Sequence, residues 1–360
     1  MFYSYDLPKR SSTATASRIN RYIEIVGSSN PRLNAMGHDS RLTINAALST
    51  RYTRVGITIV DDFADLKQLV AKKPDLVVLG MKLVLLNSSE GFDDSPKIWL
   101  SDYLEEHGIA VTGSDAKALS LEYDKHAAKQ TVIDAGLESP KYFVSRTVAP
   151  NVQHSLHFPL FVKPTNRGDS KGVDDKSLIH SEQELASKIA SIHADLNSDA
   201  LVEEYLPGRE FSVGIVRKPY SNKLLALPVE IVIPINKQGD RFLSETIKQA
   251  DTEEVVAVDD PELRERLNLL AVGVFNALGS RDYGRIDMRL DLSGEPSFIE
   301  ANLMPGLSNR GYLYKCFDLN GRIAYGDMIK LITDLGLERV PWSENASRQK
   351  HIHPNASRGV

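Results

Sequence analysis

Short apolar runs alternate with helix-like segments over the first third of the chain. The apolar runs are RYIEIVGSS, RVGITIVD, PDLVVLG and GIAVTGS. Stretches such as SRLTINAALS and IWLSDYLEEHG separate them and predict helices. Strands that alternate with helices form a parallel sheet that is covered on both faces. The pattern therefore predicts one small α/β domain over residues 20–115.

The apolar pattern changes after this domain. Residues 124–136 predict a helix that stops at a glycine. Strands are expected in SPKYFVS, FPLFVKP, ALVEEYLPGREFSVGIV and ALPVEIVIP. The segment SEQELASKIASIHADL predicts an amphipathic helix with a Ser-x-x-Glu capping box, and PELRERLNLLAVGVFNALG predicts a further helix. These elements indicate two further blocks, the second of which runs from about 225 to 330.

A strict alternation of polar and apolar residues occurs in RIDMRLDL, at 285–292. This period of two predicts a half-buried strand, and the turn residues SGEP precede a returning strand. If Asp291 lies opposite Pro296, then Asp287 lies directly opposite Glu300, and Asn302 lies further along the same face. The hairpin is therefore predicted to gather three oxygen-bearing side chains.

Carboxylates that face each other across a sheet repel, so a positive charge is expected between Asp287 and Glu300. Mg²⁺ prefers oxygen ligands and takes one or two carboxylates together with substrate phosphates. The hairpin fits a platform for metal and phosphate. A surface hairpin with solvated charges is the alternative interpretation.

A glycine-containing loop follows the strand FPLFV. Lys163 follows this strand and precedes Pro164, and Gly168 and Gly172 bracket Ser170 and Lys171. The N–H groups of such a loop can cradle phosphate oxygens while a lysine supplies a point charge. The loop has no Walker A pattern, and a plain turn is the alternative interpretation.

Two glutamates flank a Pro-Gly turn in VEEYLPGRE. Glu203 ends one strand, and Glu210 follows seven residues later. Either residue could be an exposed turn glutamate. Alternatively, groups near Glu203 hydrogen-bond an adenine edge and Glu210 accepts from ribose hydroxyls. The spacing alone leaves both interpretations open.

The composition is that of a globular protein, with 42% hydrophobic and 25% charged residues in a chain of 360. The formal charge of −5 gives no reason to expect nucleic-acid binding. No long apolar run predicts a membrane span, and the N-terminus lacks the apolar core of a secretory signal. The single cysteine, Cys316, excludes an intrachain disulfide and favours a reducing compartment. We therefore expect a cytoplasmic protein.

Several of these motifs occur in the order and spacing of the ATP-grasp carboxylate–amine ligases. They are FPLFVKP, GDSKGV, VEEYLPGREFSV, YGRIDMRLD and FIEANLMPGL. The chain most resembles the D-alanine–D-alanine ligase branch, and the upstream segment GIAVTGSDAKALSLEYDKHAAKQTVIDAGLESPKYF is similar to the same branch. The resemblance extends over roughly residues 20–335.

The resemblance implies an α/β (α+β) ATP-grasp fold. In this fold a small N-terminal parallel-sheet domain precedes two subdomains whose antiparallel sheets hold ATP between them. The expected divisions are an N-terminal extension (1–20), an N-terminal α/β domain (21–120), a central ATP-grasp subdomain (121–212), a C-terminal catalytic subdomain (213–340) and a flexible tail (341–360).

The resemblance also implies roles for individual residues. ATP would be contacted by Lys125, Lys163, Gly168, Ser170, Lys171, Gly172, Glu203, Glu204, Leu206, Glu210 and Arg241. Two Mg²⁺ ions, or Mn²⁺ in their place, would be bound by Asp287, Glu300 and Asn302. The catalytic residues would be Arg285, Gly306 and Ser170. Arg285 and the backbone of Gly306 would stabilise the oxyanion that forms when an amine attacks an acyl phosphate.

The substrate-binding positions depart from the D-alanine–D-alanine ligase pattern. No glutamate occurs in GSSNPRLNAMGHDSRLTINAAL, where that branch has one for the amino group of the first D-alanine. Asp39 or His38 could substitute for it. Gly80–Met81 replaces a His-Gly pair, and Phe242 stands where a lid tyrosine is expected.

A further departure follows Gly306, where Gly311 beside Arg310 replaces a serine near the carboxylate of the second substrate. Arg310 could hold a carboxylate or be a solvated loop residue. The resemblance implies an ATP-dependent ligase of small molecules, with amino acids as substrates and no nucleic-acid or membrane partner. It also implies a homodimer. A specialised ligase for other amino acids or for a natural-product intermediate is the alternative, and an inactive ATP-binding regulatory protein is another.

Overall fold

The computed structural model describes residues 17–90, 95–146, 154–167, 171–235, 239–250 and 252–340. The strands are β1 (Ile19–Gly27), β2 (Tyr52–Ile59), β3 (Leu76–Leu79), β4 (Leu83–Leu85), β5 (Lys97–Trp99), β6 (Ala110–Val111), β7 (Tyr142–Ser145), β8 (Leu160–Pro164), β9 (Leu178–Ile179), β10 (Ala200–Glu204), β11 (Glu210–Arg217), β12 (Leu224–Val232), β13 (Glu254–Ala257), β14 (Tyr283–Leu290) and β15 (Pro296–Asn302). The helices are α1 (His38–Ser49), α2 (Phe63–Ala71), α3 (Leu100–Glu106), α4 (Ala116–Tyr123), α5 (Lys125–Asp134), α6 (Glu182–Leu196), α7 (Glu245–Ala250), α8 (Pro261–Ala277), α9 (Tyr312–Gly321) and α10 (Tyr325–Leu337).

The predicted domain boundaries remain predictions. β1 begins at Ile19, two residues before the expected start of the N-terminal domain. Residues 1–16 of the predicted extension and the whole predicted tail lie outside the described residues. Within the described segments, no helix combines the length and the apolar character that a membrane crossing requires.

The first sheet is parallel, as the alternation of strands and helices predicted. Its strand order is β2–β1–β3–β6. Alternate residues of β1 enter different cores, because Ile25 packs with Ile44 of α1 while Val26 packs with Leu66 of α2 and Leu104 of α3. Both faces of the sheet are therefore covered.

Helix α10 covers the first sheet although it lies near the other end of the described chain. Ile332 of α10 belongs to the same buried cluster as Ile25. Asp334 of α10 accepts hydrogen bonds from Arg51 at 3.0 and 2.5 Å and from the Tyr52 hydroxyl at 2.5 Å. Packing and charge pairing thus join the two ends of the described chain.

The segment IWLSDYLEEHG was expected to be helical throughout, and this expectation is wrong at its start. The strand β5 ends at Trp99, and it pairs antiparallel with β4. Helix α3 begins only at Leu100. Ile98 and Trp99 are residue types that suit a pleated strand, and the partner strand β4 lies close enough to pair with them.

The second sheet is antiparallel, with strand order β7–β10–β8–β9. Helix α6 packs on one face, where Leu185 and Ile189 contact the same buried cluster as Val162. The predicted cap of this helix is present, since the Glu184 N–H donates to Ser181 Oγ at 3.3 Å. Other residues of this sheet, such as Phe161 and Lys163, line a cavity together with residues of the third sheet.

The third sheet is antiparallel, with strand order β13–β12–β11–β14–β15. Helix α8 packs Leu267 and Phe275 beneath one face. Helix α9 covers one end of the opposite face, and a Cβ atom added at Gly214 would lie only 2.8 Å from Cys316 Cβ. Glycine at this position therefore permits the close approach of α9. The remainder of that face carries polar side chains.

Candidate active site

A cavity lies between the second and third sheets. It holds about 830 Å³ of empty space, part of it open to solvent. The predicted ATP-contacting residues that line it are Lys125, Lys163, Lys171, Glu203, Glu204, Leu206 and Glu210. The polar residues Arg167, Tyr205, Lys248, Arg285, Asp287, Arg289 and Glu300 also line it. The fold thus gathers side chains that are up to 175 positions apart in the chain, from Lys125 to Glu300.

Lysine and arginine side chains make the cavity positive. Lys125 opens α5, where its main-chain N–H donates to Thr165 O at 3.1 Å and its ammonium donates to Arg167 O. Burial lowers the pKa of Lys125. Lys171 and Lys248 lie along the same cavity. Several ammonium groups in one enclosed space suit a polyphosphate ligand.

Glu203 lies in a buried ion cluster. The Lys163 ammonium donates to Oε1 at 2.7 Å, and Lys129 Nζ lies 3.0 Å from Oε2. Burial acts to raise the pKa of Glu203, but the charges of Lys129 and Lys163 outweigh it and lower that pKa. Burial also lowers the pKa of Lys129 to about 8. The exposed-turn interpretation of Glu203 is wrong, and its carboxylate fixes the Lys163 ammonium inside the cavity.

Glu210 faces Arg289 of β14, whose Nη1 lies 3.4 Å from Glu210 Oε2. Burial raises the pKa of Glu210. Arg289 also donates to Gly208 O at 3.0 Å and to Arg241 O at 2.8 Å. Arg289 therefore connects the third sheet both to the Pro-Gly turn and to the segment around 241.

The hairpin of β14 and β15 pairs the predicted carboxylates through an unexpected register. The expectation that Asp291 lies opposite Pro296 is wrong by one residue, because Leu290 pairs with Pro296. A β-bulge then places one extra residue in β15. This shift compensates for the first one, so Asp287 pairs with Glu300 as predicted.

Arg285 and Lys125 supply positive charge between the facing carboxylates. Arg285 donates from Nε and Nη2 to the two oxygens of Asp287, both at 2.9 Å. Asn302 Nδ2 donates to Asp287 at 2.9 Å, and Lys125 Nζ lies 3.8 Å from Glu300 Oε2. Burial acts to lower the pKa of Arg285, but the Asp287 charge raises it above its usual value. The guanidinium is thus permanently charged at the centre of the hairpin.

The predicted metal ligands Asp287, Glu300 and Asn302 lie together on one face of this hairpin. Within the described residues, no three His, Cys, Asp or Glu side chains are arranged to hold a metal by themselves. Two carboxylates and one amide fit an ion such as Mg²⁺, which keeps water ligands and shares the oxygens of substrate phosphates. The lysines of the same cavity suit such phosphates.

The glycine-containing loop is only partly described. Gly168 and Ser170 lie outside the described residues. Gly172 has a φ of +80°, which favours glycine, and its carbonyl accepts from Lys188 Nζ at 3.1 Å. Gly172 is not among the described residues that line the cavity, whereas Lys171 is.

The segment around 241 covers the cavity with an aromatic ring. Phe242 is buried, and its ring meets the ring of Phe161 edge to face at 5.5 Å between centroids. Arg241 is exposed, and its side chain is not among the described cavity-lining groups, contrary to its predicted contact with phosphate. Its carbonyl is held by the Tyr205 hydroxyl at 2.8 Å. With Phe242 turned inwards, the neighbouring Arg241 side chain turns to solvent, and Lys248 lies at the cavity instead.

A second cavity adjoins the first and holds about 1150 Å³ of empty space, including open solvent. Its lining residues are Ala35, Gly37, Ser40, Lys171, Glu245, Lys248, Glu253, Arg285, Gly306, Ser308, Arg310, Gly311 and Tyr312. Lys171, Lys248 and Arg285 line both cavities. The predicted catalytic residues Arg285 and Gly306 and the predicted substrate residues Arg310 and Gly311 are therefore brought to one place.

Comparison with known proteins identifies the family. The family model for the C-terminus of D-ala D-ala ligases matches residues 134–334, which is more than half of the chain. The chain belongs to the D-ala D-ala ligase family.

Two similar proteins span most of the chain. The chain is 30% identical to the uncharacterized protein y4sG of Sinorhizobium fredii over 239 residues, which are 66% of this chain and 69% of that protein. It is 27% identical to a D-alanine–D-alanine ligase of Bacillus anthracis over 292 residues, or 80% of this chain and 87% of the relative.

Solved structures confirm the predicted ATP-grasp fold of this D-ala D-ala ligase family member. The D-alanine–D-alanine ligase of Bacillus anthracis, complexed with ATP, aligns with a TM-score of 0.64 at 21% identity. The alignment covers 88% of this chain and 98% of the other. The VanG D-Ala:D-Ser ligase of Enterococcus faecalis aligns with a TM-score of 0.61 at 19% identity over 88% of this chain and all of the other. The protein is an ATP-dependent ligase of the D-Ala–D-Ala ligase-like type, which forms amide bonds.

Three residues at which the chain departs from the D-ala D-ala ligase pattern, Gly80, Met81 and Asp39, do not line the second cavity. Met81 is fully buried, and a Cβ at Gly80 would lie 2.2 Å from Val26 O, so no larger side chain fits at Gly80. Neither residue is among those that line the second cavity. Asp39 is exposed at the start of α1 and does not line that cavity either, although the nearby Ser40 does. The role predicted for Asp39 is therefore not supported by its position.

Sequence reasoning did not find several side chains of the site. Lys129 lies one helical turn after Lys125, and this spacing could have placed both on one face of α5. Lys248 lies in the segment 239–250 and Glu253 follows it, and no local pattern distinguishes them from solvated charges. Tyr312 directly follows Gly311 in the sequence, but no role was predicted for it.

Proposed function

We propose that this protein joins the carboxylate of an amino acid to an amine, with an acyl phosphate as the intermediate and with ADP and phosphate released. The observation that carries the proposal is the meeting of two cavities at Arg285, Lys171 and Lys248. One cavity is rich in lysine and suits a nucleotide. The other is lined by groups of both charges and suits an acid and an amine.

The nucleotide would lie between the second and third sheets. Lys125, Lys163 and Lys171 would contact its phosphates, and Glu210 would accept from the ribose hydroxyls. Asp287, Glu300 and Asn302 would hold two Mg²⁺ ions, for which Mn²⁺ could substitute. The metal would supply charge neutralisation at the transferring phosphoryl group. The segment from 239 to 250 would exclude water from the reactive intermediate.

A carboxylate is a poor electrophile, and phosphorylation by ATP gives it a good leaving group. The amine nitrogen would then form the new C–N bond, the C–O bond to phosphate would break, and the departing phosphate would accept the proton that the amine loses. Arg285 and the N–H of Gly306, which both line the second cavity, would stabilise the tetrahedral oxyanion. Loss of one such donor typically costs about 10²–10³ in rate.

The identity of the amino acids is the open part of the proposal. Relatives are named as ligases of D-alanine with D-alanine or with D-serine. Arg310 and Gly311 at the second cavity favour a different pair, such as other amino acids or a natural-product intermediate. An inactive regulatory protein is disfavoured, because Arg285 and the proposed metal ligands are all present on one hairpin.

Three further proposals concern the setting of the enzyme. The single buried Cys316 is consistent with the reducing cytoplasm. The formal charge of −5 supports small molecules rather than nucleic acid as partners. A homodimer is proposed from the family resemblance, and size-exclusion chromatography with light scattering would test it.

The experiment is to measure phosphate release from ATP and Mg²⁺ with single and paired D- and L-amino acids, and to identify the products by mass spectrometry. Glu300→Gln and Arg285→Ala are the control variants, and each should lose about 10²-fold or more of the rate. A product from D-alanine alone would assign the relatives' reaction to this chain. A product from another pair would assign a specialised ligase. Failure of wild type to bind an ATP analogue would refute the proposal.

A further inference from the structure

Glu253 lines the second cavity, and one of its carboxylate oxygens has no hydrogen-bond partner among the described residues. The residue lies directly before β13 and is only 9% exposed. The Tyr312 hydroxyl donates to its Oε1. Its Oε2 is buried and has no hydrogen-bond partner in the described part of the chain. A buried polar atom without a partner costs about 1–3 kcal/mol, and more for a charged group, so a donor is expected from the contents of the cavity.

Side chains of both charges line the second cavity. Lys171, Lys248 and Arg285 are shared with the nucleotide cavity, and they favour phosphate and carboxylate groups there. Glu253 contributes negative charge next to Tyr312. A ligand that pairs with groups of both charges carries an anionic group and a cationic group, as a zwitterionic amino acid does.

Tyr312 fixes the position of Glu253 relative to the predicted oxyanion site. Its ring lies 5.1 Å from the centre of the Arg285 guanidinium, while its hydroxyl holds the Glu253 carboxylate. One side chain therefore separates Glu253 from the cation that is placed to meet the reacting carbon. This separation suits an ammonium group on the same molecule as the carboxylate that ATP activates.

We propose that Glu253 determines substrate specificity by accepting a hydrogen bond through Oε2 from a non-reacting ammonium group of the amino-acid substrate. Tyr312 is the positioning residue that orients this carboxylate. The inference rests on the proposed function, and it defines the first substrate as an amino acid rather than a simple carboxylic acid. The carboxylate that would bind this ammonium group belongs to Glu253, directly before β13. The segment that follows β1, where the family resemblance leads one to expect a glutamate, would not supply it.

The test is a comparison of equilibrium binding by calorimetry, with Mg²⁺ and a non-hydrolysable ATP analogue present. The probes are the D and L forms of alanine, serine and glutamate, each paired with its des-amino analogue: propionate, 3-hydroxypropionate and glutarate. Wild type should bind at least one amino acid about 10- to 100-fold more tightly than its analogue, as expected for a charge-assisted hydrogen bond. In Glu253→Gln the amino acid and its des-amino analogue should bind with about equal affinity, and the affinity for the ATP analogue should be unchanged.

Two further variants separate recognition from general damage. Tyr312→Phe should reduce the ratio in part, whereas Tyr314→Phe on the same helix and Glu254→Gln on the exposed start of β13 should leave it unchanged. If no amino acid binds wild type more tightly than its analogue, or if Glu253→Gln keeps the ratio, the inference is overturned. Because binding is measured without turnover, absence of any ligated product would count against the proposed function separately.

Discussion

Asp287 neutralises a buried guanidinium, so its replacement by asparagine should destabilise the ligand-free protein. Arg285 is only 9% exposed and makes two hydrogen bonds of 2.9 Å to this carboxylate. Removing one charge of a buried ion pair costs about 3–5 kcal/mol. The amide oxygen of the new side chain still accepts one hydrogen bond, and Glu300 lies opposite. We therefore expect Asp287→Asn to lower the free energy of unfolding by about 2–3 kcal/mol.

Urea denaturation without nucleotide or metal measures this loss. The matched control is Asp291→Asn, because Asp291 is partly exposed in the hairpin turn and, among the described residues, accepts side-chain hydrogen bonds only from the nearby Ser293 and Glu295. The control should lose less than about 1 kcal/mol. Equal losses in the two variants would refute the argument that the buried pair is responsible. A Mg²⁺–ATP analogue at 100 times its Kd should add about 2.7 kcal/mol to wild type and markedly less to Asp287→Asn.

Two further predictions concern stability. Burial lowers the pKa of Lys129 from 10.5 to about 8, so the unfolded chain binds more protons than the folded chain between pH 8 and 10.5, and the free energy of unfolding should rise with pH there by up to about 3 kcal/mol. Lys129→Met should lack this contribution when the free energy of unfolding is measured from pH 7 to 10. The same pH dependence in wild type and Lys129→Met would contradict the prediction. Gly80→Ala should cost about 1–3 kcal/mol, because its Cβ would meet a main-chain oxygen at 2.2 Å. Gly37→Ala, with nothing within 4 Å, should change stability by less than about 0.5 kcal/mol, and a similar loss in both would argue against the clash.

The hairpin shows why a prediction from sequence can be right in outcome and wrong in detail. Strict alternation places Asp287 on the polar face of β14 whatever the register. To predict which residue of β15 lies opposite Asp287, both the turn geometry and the β-bulge must be known. The extra residue of the bulge, Ile299, has no distinguishing pattern in the sequence. The one-residue error in the turn and the extra residue of the bulge cancel, so Glu300 still pairs with Asp287.

The parts of the site that sequence did not reveal depend on tertiary burial. In the sequence, nothing distinguishes Lys129 from an ordinary helical lysine. In the folded protein it is buried against Glu203 of the second sheet. Glu253 becomes a candidate for recognition only because α9 brings the Tyr312 hydroxyl to it from 59 residues away. Arg241 illustrates the reverse case, since the burial of the neighbouring Phe242 turns a promising cation outwards.

The cover that α10 gives to the first sheet affects the order in which the protein can mature during synthesis. The strands around Ile25 leave the ribosome more than 300 residues before Ile332, which packs in the same core. Until then one face of the parallel sheet has only part of its apolar cover, and nascent chains with such a face are prone to aggregate or to bind chaperones. The parallel sheet is therefore translated long before its core is completed, and a nascent chain arrested before α10 should be far more sensitive to protease than its length would suggest.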